Sequence, residues 1–295
     1  MKNNKILVIG RYGQLAQSIY ENQTKENLYF LGSKELDLRN LSQIKSQLSE
    51  VQPEIIINCS AFNNVDEAEN EISDNRLINI EAIKELVAYC KESKSKLIHI
   101  STDYVFDGQK KTPYEEDDSP NPINKYGEAK LDAENYISKN LNNFFILRTS
   151  WLYSHFITNS NFLHRIINNL NTKKEIYGTK DIFGTPTYSD DLAKIILSII
   201  KRGDWDKCGT YHASNFGEIS RYEFINEINK HFLLYTSRKI KIIPVKAMQF
   251  KQEAKRPKYS VLSSKKISND LDIEIMDWKK SLSIACKRYL KNFNC

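Results

Sequence analysis

The 295-residue sequence has no long apolar run, since none approaches the ~18 residues that suggest a membrane-spanning helix. Its opening, MKNNKILVIG, has no small-residue cleavage site after the short apolar run, which indicates a first strand and not a signal peptide. Cysteine is sparse: the five cysteines lie far apart and form no C-x-x-C pair, and the five histidines lack metal-ligand spacing. These absences argue against a membrane protein, a disulfide framework and a zinc site, and they favour reduced thiols in the cytoplasm.

Strong charge of one sign is also missing. The net charge of +6 is mild, and it suits an anionic small molecule as well as an ordinary surface. The densest basic stretch, TSRKIKIIPVK, alternates like a strand, so we expect a solvated face and no nucleic-acid partner. A hydrophobic content of 40% is enough for a packed core.

Apolar runs alternate with helical patterns in the first half of the chain. Runs that are apolar on both faces predict a parallel sheet covered on both sides, and the alternation predicts a doubly wound α/β fold of Rossmann type; the runs are KILVIG, NLYFLG, EIIINCSA, KLIHIST and FFILRTSW. We expect a dinucleotide-binding domain over residues 1–150, to which 187–214 return. Residues 151–186 and 215–295 would form a smaller α/β substrate lobe.

The loop after the first run carries two glycines, Gly10 and Gly13, in G-x-x-G spacing. Such a loop brings backbone N–H groups and a helix N-terminus to a pyrophosphate, although a bare strand-to-helix turn has the same pattern. Arg11 would face the phosphates. Ala16 stands where a third glycine would fall, and its methyl predicts slightly looser packing of the helix on the sheet.

The end of the second run, FLGSKELDLRN, has Gly32, Ser33 and Lys34 where an acid often binds the adenosine ribose. Ser33 and Lys34 favour a 2′-phosphate, hence NADPH over NADH. Asp37 follows, either near the adenine or as a turn carboxylate.

Two later segments carry the chemistry. Ser101, Thr102 and Asp103 follow the fourth run, and Tyr126 and Lys130 are one helical turn apart on the next helix. An ammonium near a phenol is expected to lower the phenol's pKa and to make it a usable general acid. A second Y-x-x-x-K pair, Tyr235 with Lys239, follows no such strand end and is attributed to chance. Within the fourth run, His99 is expected to be buried and structural.

These motifs, in this order, resemble the extended short-chain dehydrogenase/reductases, and more narrowly the dTDP-4-dehydrorhamnose reductase family. The resemblance also covers NCSAFNNVDEAE, RTSWLY, GTPT, GTYHASNFG and KRPKYSVL, so it runs from the first strand nearly to the last helix.

The resemblance implies roles for particular residues. It implies a cofactor site of Gly10, Arg11, Tyr12, Gly13, Gln14, Leu15, Ser33, Lys34, Asp37, Leu38, Ala61, Phe62, Asn63, Tyr126 and Lys130. It implies Tyr126 as the proton donor, Lys130 as the residue that holds the nicotinamide ribose, and Thr102 as a hydrogen-bond donor to the sugar carbonyl. The substrate would contact Thr102, Asp103, Tyr126 and Trp151.

The sequence departs from the family pattern at several positions outside the catalytic trio. Phe62 and Asn63 replace the usual residues after the third strand, and Ile182 stands where a glutamine is common. Ser18 occupies the position at which some members have an acid for magnesium, so magnesium is doubtful and no metal site is predicted.

The resemblance implies a cytoplasmic NAD(P)H-dependent oxidoreductase that reduces the C4 ketone of dTDP-4-dehydro-L-rhamnose to dTDP-L-rhamnose for surface polysaccharide, with a homodimer as the candidate assembly. Two alternatives stay open at this point. One is a reductase of another nucleotide-linked 4-keto-6-deoxyhexose, for example to 6-deoxy-L-talose. The other is a non-catalytic NADP-binding regulatory subunit, since the β subunit of methionine adenosyltransferase resembles the same family.

Overall fold

A computed structural model describes residues 5–24 and 27–291. Its strands are β1 Lys5–Ile9, β2 Asn27–Leu31, β3 Ile55–Asn58, β4 Lys96–Thr102, β5 Phe144–Thr149, β6 Leu152–Tyr153, β7 Glu175–Thr179, β8 Phe183–Gly184, β9 Thr187–Tyr188, β10 Gly209–His212, β11 Ile219–Ser220 and β12 Lys241–Val245. Its α-helices are α1 Gln14–Asn22, α2 Leu41–Val51, α3 Glu67–Asn70, α4 Ile72–Arg76, α5 Ala82–Ser93, α6 Lys125–Asn140, α7 Phe162–Thr172, α8 Ser189–Arg202, α9 Arg221–Phe232, α10 Lys265–Leu271 and α11 Trp278–Lys291. A π-helical turn, Leu77–Glu81, joins α4 to α5.

The central sheet has six strands in the order β10-β5-β4-β3-β1-β2, and every neighbouring pair is parallel. Helices cover both faces, which explains the continuous apolar runs. In β1, Ile6 and Val8 belong to one core cluster, whereas Leu7 and Ile9 belong to the cluster on the opposite face. The predicted doubly wound, mostly parallel α/β fold is confirmed.

The segment from α8 to β10 belongs to this sheet layer. β10 pairs with β5, and Leu192 and Ile196 of α8 join the core cluster that contains α1. Ala16 of α1 is completely buried in the same cluster, so the expected loosening at that position is not seen. The domain boundaries proposed from the sequence stay a prediction.

A second apolar cluster forms the core of the smaller lobe. Helices α7, α9 and α11 pack there beside three two-stranded sheets, β12-β7, β11-β8 and β6-β9. Trp151 and Tyr153, just after β5, are buried in this cluster, so the lobe begins where the central sheet ends.

None of the helices among the described residues is long and apolar enough to cross a membrane. Four of the five cysteines, Cys59, Cys90, Cys208 and Cys286, are free thiols, and Cys295 lies outside the described residues.

Candidate active site

A cleft of about 550 Å³ opens at the carboxyl ends of the central strands. Its walls come from the start of α1, the segments that follow β3, β4 and β5, and the first turns of α6. The chain runs from β1 outward to β2 and then back to β3 on the other side of β1, so the cleft lies at the topological switch point, where open α/β sheets bind their ligands.

The glycine loop forms one side of this cleft. Gly10 has a φ of +98°, and a Cβ there would lie 3.1 Å from the backbone nitrogen of Ser60 after β3. Gly13 precedes α1 and supplies no side-chain cap, which leaves the helix N-terminus free for an anion. The loop thus has the backbone freedom and the close approach that the glycines predicted.

Two buried polar atoms in the cleft have no hydrogen-bond partner within the described part of the chain, namely Gln14 Oε1 and Thr149 Oγ1. Buried polar groups are normally satisfied, so such orphans indicate that a polar ligand belongs beside them. Together with the glycine cradle and the free helix N-terminus, they fit a dinucleotide cofactor.

An acid does lie at the end of β2, contrary to the sequence-based expectation for Gly32, Ser33 and Lys34. The chain turns after Gly32, and Glu35 folds back so that its carboxylate accepts the Gly32 N–H at 2.9 Å and the Tyr12 hydroxyl at 3.3 Å. Ser33 and Lys34 are exposed. Counting residues from the strand end missed Glu35 because the turn reverses the chain.

Other members of the expected cofactor set occupy mixed positions. Ala61 and Asn63 line the cleft, and the backbone of Phe62 is held by the Asn79 side chain through bonds of 3.0 and 3.1 Å. Arg11 and Tyr12 line a separate cavity of about 590 Å³.

Three residues expected at the cofactor are engaged elsewhere. The Asp37 carboxylate is paired with Arg39 at 2.8 Å, and the side chains of Leu15 and Leu38 are buried in the core. Their predicted cofactor contacts stay a prediction.

Thr102, Tyr126 and Lys130 all line the cleft, as their order in the chain predicted. Asn124 caps α6 by accepting the Gly127 N–H at 2.8 Å. A Cβ at Gly127 would lie 2.2 Å from the Tyr104 carbonyl oxygen, so only glycine lets α6 approach the turn after β4 this closely. That approach brings Tyr126 to the Thr102 hydroxyl, which faces its phenol.

The environment of Tyr126 differs from the prediction in one respect. Burial raises the pKa of the phenol above its ordinary value, the facing Thr102 hydroxyl opposes this, and Lys130 does not contribute. The expected lowering by Lys130 is therefore wrong for this structure. A phenol with a raised pKa stays protonated at neutral pH, which suits a proton donor.

Lys130 is buried on α6 and reaches β4. Its Nζ donates to the Ile100 carbonyl at 2.6 Å and lies 3.0 Å from His99 Nε2. Burial lowers the pKa of Lys130 to about 8. The lysine is thus held firmly while it still lines the cleft.

A buried ion pair fixes α6 to the sheet behind these residues. Arg148 Nη2 donates to Glu134 Oε2 at 2.7 Å, its Nε lies 3.1 Å from both carboxylate oxygens, and Ser101 also donates to Glu134. Both ionic side chains are less than a tenth exposed. No pattern in the sequence indicates this pair, because Glu134 and Arg148 come from different elements.

Asp103 is buried beside Thr102, and its carboxylate is occupied. Its Oδ1 accepts from the Thr102 hydroxyl and its Oδ2 from the Ser150 hydroxyl, both at 3.1 Å. Burial raises the pKa of Asp103 to about 6. Asp103 is thus placed to orient Thr102, and its predicted contact with the sugar stays a prediction.

Trp151 lies at the lobe boundary with a φ of +46°, a costly conformation for a residue with a side chain and one that clusters at functional sites. Its ring packs against Gly184, where a Cβ would come within 2.4 Å, and the Arg221 guanidinium lies 3.4 Å from the ring centroid.

Three arginines, Arg165, Arg221 and Arg256, enter the cleft from the smaller lobe. Arg256 is paired with Asp66 at 2.7 Å, whereas no carboxylate among residues 5–24 and 27–291 pairs with Arg165 or Arg221. Burial lowers the pKa of Arg221 to about 10, so it is charged at neutral pH. Two unpaired guanidiniums in a cleft suit a diphosphate, and no motif in the sequence marked them.

One group in the described part of the chain has the spacing of a metal site: Glu21, His155 and Asp190. Arg288 already donates to both carboxylates, to Glu21 at 2.6 Å and also to Asp190. Ser18, which occurs where an acid would sit in magnesium-binding members, donates to Asp190 at 2.7 Å. The guanidinium thus occupies both carboxylates of this cluster, and the absence of a metal stays a prediction.

The family model described as the RmlD substrate binding domain matches residues 4–291. The chain belongs to this family. A dTDP-4-dehydrorhamnose reductase of Sinorhizobium fredii is 31% identical over 282 residues, which cover 94% of this chain and 95% of that protein.

Two further relatives bear on the site. A probable dTDP-4,6-dihydroxy-2-methyloxan-3-one 4-ketoreductase of Streptomyces antibioticus is 31% identical and covers 95% of this chain and 93% of its own. The crystal structure of dTDP-4-dehydrorhamnose reductase from Bacillus anthracis in complex with NADP has a TM-score of 0.88 and 32% identity, covering 98% of this chain and 99% of that one. The predicted family is confirmed, and the Rossmann cleft corresponds to a fold that holds NADP in a relative.

Proposed function

We propose that this protein is an NAD(P)H-dependent reductase that converts dTDP-4-dehydro-L-rhamnose to dTDP-L-rhamnose. The observation that carries the proposal is the joint placement of Thr102, Tyr126 and Lys130 in one cleft, with a glycine cradle on one side and unpaired arginines on the other. The family membership and the activity named for the relatives support the same reaction.

The chain's own residues account for the protonation of the ketone. Bound NAD(P)H supplies a hydride to the ketone carbon. The Thr102 hydroxyl has one proton, which it donates to Asp103 in this structure; with substrate bound it would turn that proton to the ketone oxygen and stabilise the charge that develops there. Tyr126, kept protonated by burial, gives its proton to that oxygen. Lys130, held by β4, binds the ribose next to the nicotinamide.

The cofactor would be held by the start of α1 and by the segment after β2. The N–H groups at the start of α1 and the Gln14 side chain would bind the pyrophosphate, and Glu35 and Lys34 would lie beside the adenosine ribose. The substrate diphosphate would bind Arg165 and Arg221, with Trp151 packed between the arginines and the sugar.

The test is to mix the purified protein with enzymatically generated dTDP-4-dehydrorhamnose and to follow the absorbance of NADPH and, separately, of NADH. We expect oxidation of at least one cofactor that depends on the sugar. No oxidation of either cofactor, with both still bound, would overturn the proposal.

Arg221→Met is expected to raise KM for the nucleotide sugar about 10- to 100-fold, because charge-assisted hydrogen bonds to a diphosphate contribute about 1.5–3 kcal/mol. Methionine keeps an apolar chain over Trp151. Steady-state kinetics check this, with Arg202→Met at the far end of α8 as the control. A KM that stays at the wild-type value in Arg221→Met would show that Arg221 does not bind the substrate diphosphate.

Glu35→Gln is expected to increase the affinity for NADPH relative to NADH about fivefold or more. The carboxylate would repel the 2′-phosphate of NADPH and accept hydrogen bonds from the ribose hydroxyls of NADH. Its loss should therefore raise the affinity for NADPH and lower the affinity for NADH. Fluorescence titration of both cofactors measures the ratio, and Glu50→Gln on the exposed face of α2 is the matched control. An unchanged ratio would show that Glu35 does not face the ribose.

The alternative of another 4-keto-6-deoxyhexose is supported by the Streptomyces antibioticus relative, whose name gives a different dTDP-linked ketone. NMR of the product sugar separates the two, since reduction from the other face gives 6-deoxy-L-talose. The complete catalytic trio favours an enzyme over a regulatory subunit.

We also propose a cytoplasmic location and a homodimer. Free thiols in the described residues are consistent with a reducing compartment. Size-exclusion chromatography with light scattering would give the oligomeric state.

A further inference from the structure

His99 is a buried residue that touches the catalytic machinery without lining the cleft. It lies on β4 with 1% exposure, and its Nε2 is 3.0 Å from Lys130 Nζ. The sequence pattern, an apolar strand, gave no reason to assign it a role beyond packing.

The contacts on β4 determine where the lysine points. Lys130 Nζ donates to the Ile100 carbonyl at 2.6 Å, and the His99 ring meets the same nitrogen. An uncharged amine has two N–H donors and one lone pair. With one N–H given to Ile100 and the lone pair turned to His99, the second N–H is left for the cleft that Lys130 lines.

The other side of the His99 ring is also engaged. Its Nδ1 lies 3.2 Å from Asn58 Nδ2, and Asn58 Oδ1 accepts the Ser60 N–H at 3.1 Å. Ser60 is the residue against which Gly10 packs. A continuous set of contacts therefore runs from the glycine loop through Asn58 and His99 to Lys130.

The ring remains uncharged in this setting. Burial, followed in size by the nearby Lys130 charge, lowers the pKa of His99 well below its ordinary value. Asn58 Nδ2 can only donate, so Nδ1 accepts and the one proton of the neutral ring lies on Nε2. Nε2–H then donates to the lone pair of an uncharged Lys130 amine, and a hydrogen bond to the uncharged form of a group favours that form.

We propose that His99 is a positioning residue for the reduction: its Nε2–H holds Lys130 Nζ against β4 and favours the uncharged form of the amine that faces the cofactor. This inference rests on the proposed function for the role of Lys130.

Other titratable groups near Lys130 do not replace this contact. Glu134, one turn further along α6, is bound to Arg148, and Asp103 is bound to Thr102. The Tyr126 phenol, one turn before Lys130, and the Cys59 thiol after β3 both have pKa values raised by burial, so both are neutral near pH 7.

The test compares amide replacements at His99 by titrating NADPH without any sugar across pH 6–10. Asparagine is too short to reach Lys130, whereas glutamine places an amide N–H near the position of Nε2. Wild-type affinity should fall as the pH rises through the Lys130 pKa of about 8. In His99→Asn this fall should begin about one pH unit higher, because the donor that favours the uncharged amine is gone, and in His99→Gln it should stay near wild type. His99→Phe serves if the asparagine variant does not fold.

His212→Asn is the matched control, because His212 is likewise fully buried in a strand of the same sheet but contacts Tyr114 and Arg148 instead of Lys130. A pH profile in His99→Asn that coincides with wild type, or an equal shift in His212→Asn, would overturn the inference. Because no sugar is present, these results are independent of the ketosugar assay, whose failure alone would count against the proposed function.

Discussion

Tyr126→Phe is expected to lower kcat by about 10²- to 10⁴-fold, the range that general acid catalysis contributes. The phenol is buried, protonated and faced by the Thr102 hydroxyl, and the variant removes only its oxygen. NADPH binding should survive, because Lys130 and the glycine loop are untouched. Steady-state kinetics with the ketosugar and fluorescence titration with NADPH measure the two effects separately.

Tyr136→Phe is the control for this variant, since Tyr136 lies on the same helix outside the cleft. It should have wild-type kcat. Turnover in Tyr126→Phe that equals turnover in Tyr136→Phe would mean that another group donates the proton.

Glu134→Ala is expected to lower the free energy of unfolding by about 3–5 kcal/mol, because it leaves the Arg148 guanidinium buried without its partner. The matched change, Glu128→Ala, breaks an exposed pair with Lys125 on the same helix and should cost less than about 1 kcal/mol. Urea unfolding of both variants gives the two values.

The informative quantity is the difference between the two variants in the loss of unfolding free energy. Both remove a glutamate from α6, so helix propensity changes equally in each. Similar losses at positions 134 and 128 would contradict the view that the buried pair anchors α6, and with it Tyr126 and Lys130, to the sheet.

The fold could be predicted from the sequence because buried parallel strands are recognisable as continuous apolar runs. Strands covered on both faces, such as β3, are apolar throughout, and each is followed by a helical pattern. The Tyr126–Lys130 pair could also be predicted from the sequence, since helical spacing alone places the two residues on one face.

The parts of the site that the sequence did not reveal depend on contacts between distant segments. Glu35 reaches Gly32 only through a turn, and Arg165 and Arg221 enter from a lobe whose orientation no local pattern encodes. For His99, the sequence pattern indicates only a packed residue in an apolar strand, and its contact with Lys130 is visible only in the structure. The Tyr126 pKa was misjudged because spacing indicates a neighbouring charge but not the depth of burial, which has the larger effect here.

In the proposed reaction a hydride passes from the cofactor to the C4 ketone of the nucleotide sugar. Its most direct test uses cofactor deuterated at the transferable position of the nicotinamide C4, with dTDP-4-dehydrorhamnose as substrate and NMR of the product. We expect dTDP-L-rhamnose with one deuterium on sugar C4. A product without that deuterium, or with the label at another carbon, would contradict it.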